Sequence, residues 1–127
     1  MTTTRTVDDI TADILKSEDG GTFPVVVGQR VPASGYVVGL HGISGPADTL
    51  DVRAWVESVR PEVAAKPAHY VGSWTHDGTL YLDVVRVVPE LRDALRLARD
   101  HSQLAIYDLT AGESLWVESP EALAVAA

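Results

Sequence analysis

The sequence contains no cysteine. That excludes a disulfide scaffold and every cysteine-based zinc, haem-attachment or thiol chemistry. It is poor in positive charge, with 10 Lys and Arg against 18 Asp and Glu and a net charge of −8. The whole-molecule field therefore opposes nucleic acid and anionic membranes, and neither is an expected partner. The acids are scattered and do not form the dense array a nucleic-acid mimic needs. No apolar run approaches the roughly 18–20 residues of a membrane-spanning helix. The polar, acidic opening MTTTRTVDDITADILKSEDGG lacks the apolar stretch of a secretory signal. A soluble, cytoplasmic protein is the expectation.

Chemical motifs are also missing. There is no Gly-Lys-Ser/Thr phosphate loop and no G-x-S-x-G elbow. The four histidines, His41, His69, His76 and His101, share no i, i+2 or i, i+4 spacing, so no metal site is expected. Ser73, His76 and Asp83 are close in sequence, but alternation along a strand puts Ser73 on the opposite face from the other two. Asp83 and Asp108 remain as a pair of carboxylates that neighbouring strands could bring together. No cofactor is called for, and an enzyme is not the first expectation.

What is present is a globular domain. The 127 residues are 46% hydrophobic and 22% charged, and a chain of this size buries roughly 65–70% of its unfolded surface without a staple. One domain is expected over residues 1–127, with a loose start at 1–5 and a tail or short helix at 119–127. Thr6 can cap a helix with Val7, Ile10 and Ile14 on one stripe. TFPVVVG, Thr22 to Gly28, reads as a strand, and GYVVGL, Gly35 to Leu40, as a second that pairs antiparallel with it. HGISGPAD reads as a turn-rich connection. Thr49 then looks like the N-cap of a helix carrying Val52, Trp55, Val56 and Val59, limited near Arg60 by Pro61. Pro89 opens a further helix to about His101, with Leu91, Ala94, Leu95 and Ala98 inward. LAIYDL and SLWVE read as the last strands.

Between the second and third helices lies HYVGSWTHDGTLYLDVVRVV, His69 to Val88. Asp77-Gly78 marks a two-residue hairpin turn. That turn sets Trp74 opposite Tyr81, Gly72 opposite Asp83 and Tyr70 opposite Val85. One face then carries Val71, Leu80, Leu82 and Val84, a floor for helices. The other carries Tyr70, Trp74, Tyr81, Val85 and Val87, with Asp83 set beside a glycine. Cross-strand aromatic pairing, partly covered by the first helix or the N-terminal segment, accounts for such a face, and a recognition surface is the other reading. The order α, β, β, α, β, β, α, β, β predicts an α+β fold, a largely antiparallel twisted sheet of hairpins with helices packed on one face.

The string YVGSW…DG…YLDV…VV, a helix, then QLAIYDL and a short turn resembles small proteins of no assigned activity from actinobacteria and their phages. The resemblance spans His69 to Val117. It implies an accessory protein acting on a host protein, and it assigns no catalytic residue. Richness in Ala, Val, Arg and Asp fits a high-GC genome.

Two functions follow as expectations. The first is a non-enzymatic protein-binding domain that uses Tyr70, Trp74, Tyr81 and Asp83, because tyrosine and tryptophan are enriched at binding hot spots. Its partner would be a host protein or a second copy of the chain. The second is a small-molecule-binding domain or enzyme with a site at the loop GLHGISG, built from Gly39, His41, Gly42 and Gly45 with Asp83 or Asp108. A concave pocket gathering these groups would favour the second. Arg92, Arg96 and Arg99 form a basic line on the third helix, read as intrahelical pairing with Asp93 and Asp100.

Overall fold

The computed structural model describes residues 3–126. It is an α+β fold in which six antiparallel strands form one sheet, with four helices on one of its faces.

Helix α1, Val7–Lys16, starts where the Thr6 side chain accepts from the Asp9 amide at 3.1 Å. Asp8 and Asp9 sit at its positive end, and it buries Val7, Ile10 and Ile14. Helix α2, Val52–Ala65, is capped by Asp51, whose carboxylate accepts from the Ala54 amide at 3.0 Å. Thr49, expected as that cap, instead donates to the Pro46 carbonyl and closes a short 3₁₀ turn, Ala47–Thr49. Pro61 does not stop α2 near Arg60. It stands on the exposed side, where water can satisfy the carbonyl it leaves unbonded, and one more turn buries Val63. Helix α3, Leu91–Asp100, buries Ala94, Leu95 and Ala98. The tail forms α4, Pro120–Ala126, with the Ser119 hydroxyl accepting from the Ala122 amide.

The strands are β1, Gly20–Phe23; β2, Tyr36–Pro46; β3, His69–His76; β4, Thr79–Val88; β5, Ala105–Asp108; and β6, Glu113–Trp116. Their spatial order is β1-β3-β4-β2-β5-β6. The β3–β4 hairpin has the register the Asp77-Gly78 turn dictates, with Trp74 opposite Tyr81, Gly72 opposite Asp83 and Tyr70 opposite Val85. Both turn residues have positive φ, 50° and 76°, as a type I′ turn requires.

Two strand expectations are corrected. First, β1 pairs with β3, and β2 pairs with β4 and β5, so the first two strands are not neighbours. Pro24 cannot donate to a ladder, and β1 ends just before it. Beyond it, Val26 bridges to Thr4, and the Arg5 and Val27 amides donate to the Val25 and Thr3 carbonyls. Second, HGISGP is not a loop. It continues β2 as far as Pro46, because ten residues of β4 offer it a partner at every step from Val88 to Thr79. A register shift between Gly39 and His41 marks a β-bulge, which adds bend and twist.

On the helix-bearing face the core has two parts. Under α1 and α2 lie Val71, Leu82 and Val84 with Val25. Under α3 and α4 lie Val38, Val88 and Ile106. Burying such side chains contributes roughly 1.5–3 kcal/mol each. A smaller apolar cluster of Val37, Tyr70, Val85 and Val87, with Val31 and Leu109, sits on the opposite face.

The sheet is strongly curled. Strands β3 and β6 are four strand spacings apart in order, which in a flat sheet is about 19 Å at 4.7–4.9 Å per spacing. Yet the rings of Trp74 on β3 and Trp116 on β6 stand with centroids 6.1 Å apart. The helix-free face is therefore the inside of a cup. Glycines permit the curl there: a Cβ on Gly42 would run into the Leu82 carbonyl and the Asp83 carboxyl, and one on Gly39 into the Gln103 side chain. Among the described residues no helix is long and apolar enough to cross a membrane.

Candidate ligand-binding basin

The inside of the cup is an open basin of about 950 Å³, near the upper end of the size range of small-molecule sites. Each strand contributes to its lining: Gly20 and Thr22 from β1, Gly72 and Trp74 from β3, Tyr81, Asp83 and Val85 from β4, Gly39 and Gly42 from β2, Ala105 and Tyr107 from β5, and Ser114 from β6. Period-2 alternation brings these residues inward while Val71, Leu82 and Val84 face the helices.

Aromatic rings stand at the hairpin-tip end. Trp74 stacks on His76 at 5.1 Å and 17°, and tilts against Tyr81 at 5.3 Å. Trp116 meets both Trp74 and His76 edge-on, at 6.1 and 5.6 Å. These rings form a bridge from one side of the cup to the other.

On the floor, Asp83 lies between two glycines, Gly72 on β3 and Gly42 on β2. Neither has a side chain to cover it. No donor or cation among the described residues pairs with its carboxyl. Burial pushes that carboxyl from an ordinary 3.8 up to about 6, and the charge of His41 opposes the rise only in part. Gln103 reaches the same spot: its side-chain oxygen and the Asp83 carboxyl carbon are the nearest side-chain groups above Gly39. The amide nitrogen of Gln103 donates to the His101 carbonyl, which aims the oxygen at the basin.

No family model, curated protein or solved structure matches the chain.

The sequence-predicted residues divide accordingly. Trp74, Tyr81, Asp83, Gly39 and Gly42 come together in the basin. Tyr70 does not belong to a surface: it is 4% exposed, packs with Val37, Val85 and Val87, and donates from its hydroxyl to the Arg30 carbonyl at 2.8 Å. The segment after β1 thus covers the lower part of this face. His41 is not gathered with Asp83. The bulge turns it to the helix side, where its Nε2 lies 2.6 Å from Glu62 of α2 and holds that carboxyl below the usual range. Gly45 faces Thr49 and Leu50. Asp108 caps a turn by accepting from the Thr110 and Ala111 amides. GLHGISG is thus a strand that supplies two glycines to a floor.

Ser73 is buried on the helix side of the hairpin with an unpartnered hydroxyl, so it cannot join His76 and Asp83 in a triad. Among the described residues no group of three or more His, Asp and Glu could hold a metal. Arg92 and Arg96 make no ion pair with Asp93 or Asp100 among the described residues, and Arg99 donates to the Val117 carbonyl. Gln103 was not legible as a site residue. It follows a helix C-terminus in a polar stretch, and only the fold brings it over Gly39.

The arrangement can bind. It offers two converging acceptors and an aromatic wall, over a floor whose glycines leave room for the Asp83 and Gln103 side chains.

Proposed function

We propose that this protein is a non-enzymatic binding domain that holds a small organic group in the basin on the concave face of its sheet. The observation that carries this reading is the gathering of Trp74, Tyr81, Asp83 and Gln103 around one open volume of about 950 Å³. A curled sheet could have filled that volume with side chains, as small barrels do; glycines occupy its floor instead.

A second reading, in which the group belongs to a host protein of the kind a phage accessory protein would engage, is supported by the wall beside the basin. Leu104 is 63% exposed and Trp116 44%, with Tyr107 between them in the same β5–β6 region. Apolar side chains around a cavity mouth suit either a ligand or a partner's surface.

The test is a fragment titration followed by backbone amide and indole NMR shifts. Saturable shifts at Gly39, Gly42, Asp83 and the Trp74 indole, abolished in a folded Trp74→Ala, Asp83→Ala variant, are expected. If no aromatic or amine fragment at millimolar concentration shifts those signals, or if shifts fall on the outer faces of α1 and α2, the reading fails.

A further inference from the structure

The basin has a definite electrical character. The titratable carboxyls lining it are Asp19, Asp83 and Glu113, and its lining includes no lysine, arginine or histidine. The cation-capable side chain closest to Asp83 by its influence, His41, is already engaged by Glu62 on the other side of the sheet. A carboxylate removed from water ordinarily takes a cationic or hydrogen-bonding partner. Here Asp83 opens into the basin between two glycines, and among the described residues it has neither. Gln103 adds a second acceptor beside it, not a donor. The wall is made of Trp74 and Tyr81, whose ring faces attract positive charge.

Resting on the binding reading above, we infer that the basin's ligand carries an organic ammonium group, which donates to the Asp83 carboxylate and the Gln103 side-chain oxygen while its carbon skeleton lies against Trp74 and Tyr81. The same chemistry rejects other classes. An anion would face a lining that holds carboxyls and no lysine, arginine or histidine. A neutral ligand would bury Asp83 further and leave it unpaired. An ammonium restores to Asp83 the partner the fold withholds.

The experiment uses three probes with the same aromatic body: 2-phenylethylammonium, 2-phenylethanol and phenylacetate. Each is titrated into the full chain, with NMR shifts at Gly39, Gly42 and the Trp74 indole as readout. The ammonium should bind at least about tenfold more tightly than the alcohol, the value of one charge-assisted hydrogen bond. Phenylacetate should bind more weakly than either. In Asp83→Asn, which keeps the size of the side chain, the ammonium should fall to the level of the alcohol. The thermal unfolding transition of the variant checks that it is folded.

If the alcohol and the acid bind as well as the ammonium, or Asp83→Asn leaves the order unchanged, the ammonium inference is overturned while the binding reading stands. If none of the three binds saturably, both fall. A further arm separates two sources of the group. A capped Gly-Lys-Gly peptide is compared with 2-phenylethylammonium, each against its N-acetylated form. Loss of binding on acetylation supports the inference in either case, and the tighter of the two parents says whether the ammonium is free or belongs to a protein side chain. Binding that survives acetylation in both overturns it.

Discussion

Replacing Asp83 by asparagine should make the protein more stable at neutral pH. Folding moves this carboxyl into the floor of the cup, and burial raises it from an ordinary 3.8 to about 6. A carboxyl raised on folding binds its proton more tightly in the native state. Its contribution to stability is therefore complete below pH 3.8. It is lost as pH rises towards 6, and the full deficit persists above that. At 1.36 kcal/mol per pH unit, the gap amounts to about 3 kcal/mol. Asp83 is still open to water in the basin, which lowers the expected deficit to roughly 2 kcal/mol. Asparagine has nearly the same shape and no charge, so it should escape that cost. The assay is urea denaturation of wild type and Asp83→Asn at pH 4 and pH 7.5. The variant's advantage should be small at pH 4 and larger by about 2 kcal/mol at pH 7.5. An advantage equal at the two pH values would show that the folded carboxyl is not raised, and the account of an unpaired floor carboxylate would be wrong. A destabilised variant at pH 7.5 would point to hydrogen bonds accepted by the carboxylate that asparagine cannot replace. With the expected result, Asp83 would be a group kept at a cost in stability, as binding residues often are.

Other consequences can be checked together. Leu82 is fully buried between the hairpin and α1–α2, so Leu82→Ala should cost about 2–5 kcal/mol in denaturant titration, with the spread set by how far the site collapses. Gly42→Val should destabilise by several kcal/mol, of order 3 or more, since its Cβ would strike backbone as well as Asp83; a folded variant with unchanged ligand shifts would contradict the role given to this glycine. Asp51→Ala removes the cap of α2 and should lower stability by about 1 kcal/mol, read as a drop in thermal midpoint. Trp116→Ala should shift the Trp74 indole signal strongly while costing only about 0.5–1.5 kcal/mol, because Trp116 is half exposed and its ring contacts are edge-on.

The parts that were legible in the sequence are the local ones. The β3–β4 register followed from Asp77-Gly78, because a two-residue turn leaves one pairing and alternation then assigns every face. The stripes Val7, Ile10, Ile14 and Val52, Trp55, Val56, Val59 pointed inward for the same kind of reason. Strand order was not legible, since a strand's preference for a distant neighbour has no local signature. The glycines of β2 misled for a physical reason. A glycine between short polar residues promises a turn, and the same residue serves a strand whose inner face is too crowded for a Cβ. That reversal moved the site. Gly39 and Gly42 stayed in it as floor with Asp83, while His41 left it through the bulge and Asp108 is taken up in capping a turn. Tyr70 shows the limit of reading exposure from an alternation: its face was assigned correctly, but a segment forty residues earlier covers it at Arg30.

The position of β2 also sets an order of events. It is the one long strand whose two neighbours, β4 and β5, both come later in the chain. A nascent chain emerging from its N-terminus would thus carry β2 unpaired until Thr79 to Val88 have followed it out. The β3–β4 hairpin is closed by its own two-residue turn, and β4 is the partner that pairs with β2 along almost its whole length. The floor of the cup needs that pairing, because Gly42 of β2 and Asp83 of β4 stand opposite each other in it.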